Sequence, residues 1–308
     1  MAAIGKDTPG CSLYVIPARD GRSAVVFRRG PSKRVLVLRW WLDHDRIEQG
    51  QWFAGRLYER HCDLSPDGDL LLYFAARYKG DPPMWTAISR TPYLTALVLW
   101  HCYMSGGGVF ETDRSVCLEP TTSHEEPLLS HQRTLSPYPM EELSRHLTVR
   151  TAGDRDNMRA WECTDHGRMT RDGWRCIANG VVMKPNGWAQ DRLDPTFVGP
   201  QVYERPNHGP TLRRIKCLQA GSVWKTSEAY AIVSREGAVV RDLAACMWAD
   251  WAADGDLLLA HNGCLYRLPK RYVSNTVADA LDNARLVADL RPLTFEGRPP
   301  PDWATHWP

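Results

Sequence analysis

The chain has no long hydrophobic run. Its longest apolar stretch, residues 94–100, falls far short of the ~20 residues that a membrane-spanning helix requires. Residues 1–10 show no charged start followed by an apolar segment, so a secretory leader is not expected. Lysine is scarce, at 7 against 31 arginines, and phenylalanine is held to 6 while tryptophan reaches 13. Charge of one sign is not in excess. A formal net charge of +2 gives no global drive toward nucleic acid or a membrane surface. The nine cysteines are odd in number and irregularly spaced, which is not a disulfide framework. Reduced, mostly buried thiols in a cytoplasm are the expectation, and no membrane association.

Short catalytic signatures are missing as well. There is no phosphate loop, no Gly-x-Ser-x-Gly elbow, no His-Glu-x-x-His and no Cys-x-x-Cys. Gly106-Gly107-Gly108 lacks the spacing of a dinucleotide site and reads as a hinge or tight turn. His61-Cys62 and His101-Cys102 are adjacent pairs. Neighbours on a strand point to opposite faces, so each pair could give a metal only one ligand. Cys163 and His166 have a spacing that zinc can use, with Cys176 and His146 as the nearest further ligands in sequence. Buried thiols and half-exposed imidazoles are the better account, and no metal or cofactor is expected. Asp43-His44-Asp45 could polarise an imidazole, but it follows Trp40-Trp41 at a strand end, where polar turn residues are ordinary.

What the chain does have is an internal echo. Asp63-Leu64-Ser65-Pro66-Asp67-Gly68-Asp69-Leu70-Leu71-Leu72 recurs as Asp250-Trp251-Ala252-Ala253-Asp254-Gly255-Asp256-Leu257-Leu258-Leu259. Asp-Gly between extended runs signals a hairpin, with a type I′ turn expected, and Asn262-Gly263 follows as a second such pair. Recurrence of the Asp67/Asp69 and Asp254/Asp256 pairs argues for turn chemistry and against an acid pair or calcium site. Weaker relatives of the unit surround Asp20-Gly21 and Glu236-Gly237. Repeated antiparallel meanders of this size predict an all-β, propeller-like domain of about five to six blades over residues 1–308. A large β-sandwich is the alternative.

The run Leu64-Ser65-Pro66-Asp67-Gly68, followed by Leu70-Leu71-Leu72-Tyr73, resembles the repeat of TolB-type and WD-like propellers. In those families Ser-Pro-Asp-Gly joins the first two strands of a blade. The resemblance covers about a third of the chain. It implies an interaction platform, although some members of such families are enzymes. Residues 40–110 also resemble bacterial proteins of unassigned function, which implies no chemistry.

Residues 111–172 break the pattern and are expected to form a polar insertion or extended loop within the domain, with one short helix at 140–147. A second helix is expected at 276–284, within a C-terminal stretch 276–308 whose Trp303 and Trp307 suit a tail docked on the body.

Charge distribution says more than net charge. Between Arg19 and Arg39 seven basic residues face Asp20 alone, and Arg28, Arg29, Lys33 and Arg34 gather around one hairpin tip. An acidic partner or a phosphate backbone could bind there, or the cations could simply solvate an edge hairpin. Phe27 is the one aromatic interleaved with them, so single-strand stacking, and nucleic acid in general, is not expected. Trp40 and Trp41 are adjacent on a predicted strand, so one of them turns outward as an interface anchor. The expected function is a non-catalytic platform for a protein partner or anionic ligand, through Arg28, Arg29, Lys33, Arg34, Trp40 and Trp41. The alternative is a hydrolase or lyase whose site is assembled from several loops at a channel mouth.

Overall fold

The computed structural model describes residues 10–30, 33–103, 105–119, 127–129, 136–151, 160–179, 200–207, 209–218, 226–275 and 279–308, with the side chains of 129, 136–137, 160–164, 179, 218 and 226 outside that description. The chain is all-β, with five small sheets in a five-bladed propeller arrangement, and the sandwich alternative is set aside. It divides into two compact units.

Unit 1 comprises Met1–Arg168, Asn262–Leu265 and Val287–Pro308. Its first sheet is an antiparallel meander of Ser12–Pro17, Ser23–Arg29, Arg34–Trp41 and Arg46–Ala54. The second is built around Leu70–Ala76, Met84–Arg90 and Ala96–His101, with Arg56–Leu57 and Asp63–Leu64 both pairing with the first of these. Leu70–Ala76 is buried at every position. Side chains alternate across a strand, and the two faces enter two different cores. Leu71, Tyr73 and Ala75 pack with Val25, Phe27, Val35 and Val37 of the first sheet. Leu70 and Leu72 pack with Phe110, Val116 and Leu118 of the third. A continuous apolar run is what a strand between two neighbouring blades requires.

The echo is a repeated turn. The amide of Gly68 donates to Ser65 O at 2.9 Å and that of Gly255 to Ala252 O at 3.0 Å. Ala18 and Gly21 close the same turn at 3.1 Å in the first sheet. Asp67 and Asp254 each accept from the amide two residues on, at 3.0 Å. Gly68 and Gly255 have φ of +79° and +90°, but the aspartates before them are not left-handed. These turns are therefore not the expected type I′. The loops are longer than a two-residue I′ hairpin, closed by Ser65 N–H to Leu70 O at 2.8 Å and Ala252 N–H to Asp256 O at 2.9 Å, and the capping carboxylate leaves the left-handed position to glycine alone. Asn262 and Gly263, with φ of 45° and 74°, do make the I′ pair. Asp63 and Asp250, the first residues of the echo, are buried acceptors for the amides of Phe110 and Trp251.

Among the described residues of 111–172, several are strands of the propeller sheets. Gly108–Thr112, Ser115–Leu118 and Thr148–Thr151 form the third sheet, the last two strands running parallel. Leu128–Leu129 and Ser136–Pro137 extend the second sheet, and Ala160–Arg171 is a helix the sequence pattern did not reveal. Four-residue strands separated by a long excursion leave no hairpin signal. The expected helix at 140–147 is α-helical over Met140–Leu143 and continues as turns to Leu147. Trp303 packs edge-on against Tyr93, and Trp307 stacks on His146 at 5.1 Å.

Unit 2 comprises Met169–His261 and Tyr266–Leu286. The fourth sheet runs Arg175–Asn179, Gln201–Pro206, Thr211–Leu218, Thr226–Val233, Val239–Asp242. Trp174, Tyr203, Leu212, Ile232, Trp251 and Leu259 share its core. Asp250 pairs with Arg205 there, and burial still holds its carboxyl above the usual carboxylate range. Arg241, almost fully buried, donates to the carbonyls of Tyr272, Ala280 and Asp282. Residues 279–284 form turns and not the expected helix, whose start at 276–278 lies outside the described residues; Lys270–Val273 is helical instead. The fifth sheet begins in this unit with Trp248–Trp251 and Leu257–His261, which pair antiparallel.

Candidate functional site

The expected basic patch is divided by the fold. Arg28 is 0% exposed, and its guanidinium donates to Gly30 O, to Leu290 O at 3.0 Å and to Arg291 O at 3.0 Å. Trp40 is likewise 0% exposed, its indole N–H satisfied by Asp45 at 3.0 Å. Neither can meet a partner at the surface, because strand alternation turns both side chains inward. Arg29 is neutralised by Glu59 and also donates to Leu57 O. Trp41 is half-buried, lying beneath Arg39 and Arg46 and donating to Glu48 at 3.0 Å. Asp43-His44-Asp45 is the turn after this strand. Lys33 and Arg34 remain exposed.

Strand register then brings further cations to Lys33 and Arg34. Arg34 opposes Ala54, and the amide of Gly55 donates to Lys33 O at 3.1 Å. The next residue, Arg56, opposes Ala76, which opposes Met84. Arg77 and Lys79 follow Ala76 into the turn, and the Cys102 amide bonds Met84 O. One end of two adjacent sheets thus carries Lys33, Arg34, Arg56, Arg77 and Lys79, all exposed. None has a carboxylate at ion-pairing distance among the described residues.

Three of these arginines lie over rings instead. Arg34 is 4.0 Å from the centroid of Phe295, Arg56 is 5.3 Å from Tyr58 and Arg77 is 5.3 Å from Phe53. A stacked guanidinium keeps its in-plane N–H donors for a ligand. Aromatic surface is also presented to solvent here. Tyr78 is 63% exposed, Tyr103 74% and Phe295 46%; among the described residues the remaining exposed aromatic is Trp303. Tyr78 is held at a left-handed φ of 58°, an uncommon conformation for a bulky residue, and its hydroxyl bonds that of Tyr58. Burial and this bond push the Tyr58 phenol up to about 12. Tyr103 tilts over His101 at 4.8 Å.

Sequence reading reached Lys33 and Arg34 but missed Arg56, Arg77, Lys79, Tyr78, Tyr103 and Phe295. Pairing of distant strands, and the C-terminal segment lying over Trp52 and Arg34, collect them. Phe27, the one aromatic interleaved with the basic run in sequence, is buried core. The aromatics that accompany the cations come from elsewhere in the chain.

A second cluster lies in the same unit. His61 Nδ1 is 2.8 Å from Glu119 Oε1 and 3.1 Å from Gly106 O. Both partners accept, so Nδ1 carries the proton and Nε2 is the basic nitrogen of the neutral ring. The glycine loop makes this possible. A Cβ at Gly107, whose φ is +106°, would stand 2.2 Å from His61 O. Nearby, Arg168 donates to Cys62 O at 2.6 Å and pairs with Asp165, which also meets Arg60 at 3.4 Å. Cys62 is fully buried behind the half-buried His61, and burial pushes its thiol up. Among the described residues no group of three or more His, Cys, Asp or Glu could hold a metal ion; the Cys163 side chain lies outside them.

No family model matches the chain, and no curated protein matches it. Among solved structures it is similar to an uncharacterized protein from Listeria monocytogenes EGD-e, at 10% identity over 93% of this chain and 85% of that one, with a TM-score of 0.30. So low a score carries no argument, and the five-bladed fold rests on the sheet topology.

Proposed function

We propose that the protein is a non-catalytic interaction platform whose working surface is the basic, aromatic rim of unit 1, and that its partner is anionic. The observation that carries this is the convergence of Lys33, Arg34, Arg56, Arg77 and Lys79, unpaired by carboxylates among the described residues, with three exposed aromatics. Unpaired cations repel one another and contribute little to stability where they stand, whereas Tyr and Arg are the residues that dominate binding surfaces. The same reading places the chain among TolB-type or WD-like propellers of a bacterial cytoplasm. Affinity capture from native cells, with the wild type beside a variant carrying glutamate at all five positions, tests it. Partners lost by the variant support the reading; an identical set of partners from both overturns it.

One observation favours a second reading, a hydrolase or lyase. Glu119 and Gly106 hold His61 in the tautomer a general base uses. Nitrogen NMR of the His61 ring should show Nδ1 protonated at neutral pH, and a ring protonated on Nε2 alone removes this reading.

A further inference from the structure

We infer that the anionic partner of this rim is a single-stranded nucleic acid, RNA or DNA. The inference rests on the platform reading and names its ligand class. Single strands are held without sequence readout by two features in combination: cations that follow the phosphates, and exposed rings on which bases stack. Both occur here side by side.

The cations come from three chain segments that strand pairing sets next to one another. Lys33 leads into the strand that Arg34 begins, Arg56 enters the next sheet, and Arg77 and Lys79 lie in the exposed turn after Leu70–Ala76. Asp81 is the carboxylate of that turn, and Glu59 is occupied by Arg29. The rings alternate with the charges. Tyr78 stands between Arg77 and Lys79, Phe295 lies against Arg34, and Tyr103 rises where the Cys102 amide meets the strand Met84–Arg90.

Two details favour single strands over an acidic protein segment. First, the exposed rings are too polar or too open to form a closed apolar pocket of the kind a peptide anchor fills. Tyr103 and Tyr78 are 74% and 63% exposed, with most of each ring available to a flat base. Second, Tyr78 is held outward by a left-handed backbone and a hydroxyl bond to Tyr58, which fixes a stacking platform before any ligand arrives. A duplex hides its base faces and would gain only the electrostatic part.

The test uses the full chain and fluorescein-labelled oligo-U and oligo-dT of about 15 nucleotides, followed by anisotropy across a salt series, with the matched duplex and polyglutamate as separate arms. Both single strands should bind, the duplex at least about tenfold more weakly, and affinity should fall linearly on a log–log salt plot. Arg56→Glu and Arg77→Glu should each weaken binding and flatten the salt slope by roughly 0.7 or more. Tyr103→Ser and Tyr78→Ser should each cost roughly fivefold or more while leaving the slope unchanged. Arg235→Glu, an exposed site in unit 2, is the control and should change nothing. Thermal melts confirm that each variant folds, and Tyr103→Ser keeps the stacking arm valid if Tyr78→Ser does not. A single-strand preference for RNA over DNA, or the reverse, identifies which of the two it serves. Polyglutamate bound through the same cations while both oligonucleotides fail overturns this inference and leaves the platform standing. Failure of all ligands overturns both.

Discussion

The Nε–H of Arg28 donates to the backbone carbonyl of Leu290 at 3.0 Å, joining residues 262 positions apart in the chain. A second nitrogen of the same guanidinium reaches Arg291 O, also at 3.0 Å. The first sheet and the C-terminal segment of unit 1 are stapled by one buried cation that donates to three backbone carbonyls and lies 5.4 Å from the centroid of the Trp52 ring. Replacement by methionine would keep much of the volume and strand two or more acceptors. Unfolding in urea should show Arg28→Met destabilised by on the order of 3 kcal/mol, because a buried acceptor left unpaired costs about 1–3 kcal/mol. A loss no larger than that of Arg34→Met would mean the staple contributes nothing.

The glycine loop yields a paired comparison. Gly107 and Gly80 both have positive φ, at +106° and +95°, but a Cβ at Gly80 meets nothing within 4 Å whereas one at Gly107 would collide with His61 O. Gly80→Ala should cost about 1 kcal/mol from backbone conformation alone. Gly107→Ala should cost clearly more and should also displace the His61 ring resonances. Equal melting temperatures for the two variants would show that the loop does not press on His61.

Tyr58 makes the stability respond to alkali. Its folded value is raised above the ordinary phenol range to about 12, mainly by burial and then by the Tyr78 hydroxyl bond. A raised folded value means the contribution is complete below the unfolded phenol value near 10 and is lost as pH climbs toward 12. Alkaline unfolding curves of wild type and Tyr58→Phe should therefore converge over that interval. Parallel curves would contradict the assignment.

Thiol reactivity should separate the cysteines by exposure. Cys176 is exposed on Arg175–Asn179, while Cys11, Cys62, Cys102, Cys246 and Cys264 are buried, and burial raises both Cys62 and Cys246, the latter to about 12. A thiolate-directed reagent should label Cys176 rapidly in the native protein and the buried five only on unfolding. Fast labelling of Cys62, located by peptide mapping, would show that the core of unit 1 is open.

Those parts of the fold written in local chemistry were legible in the sequence. Asp67-Gly68 and Asp254-Gly255 end strands because a capping carboxylate and a left-handed glycine make a turn that needs no distant partner. Leu70–Ala76 announces a strand buried on both faces by its unbroken apolar run. The third sheet was not legible, since Ser115–Leu118 meets Thr148–Thr151 in parallel across a stretch with no hairpin signal. For the same reason the rim escaped. Lys33 and Arg34 could be seen as a cluster, but Arg56, Arg77 and Lys79 join them only through register. Arg28 and Trp40 look like surface residues until strand alternation assigns their face. His61 and Glu119 are 58 positions apart, and the loop that sets their geometry looks in sequence like a hinge.

The Arg28 staple also carries a consequence for synthesis. A ribosome delivers Arg28 and its local acceptor Gly30 long before it delivers Leu290 and Arg291. Until those two residues emerge, water must stand in for two of the carbonyls that the guanidinium on Ser23–Arg29 finally holds. Maturation of this unit thus waits on the synthesis of residues 290–291, and a chain truncated before residue 287 should leave its earliest strands the least protected against proteases.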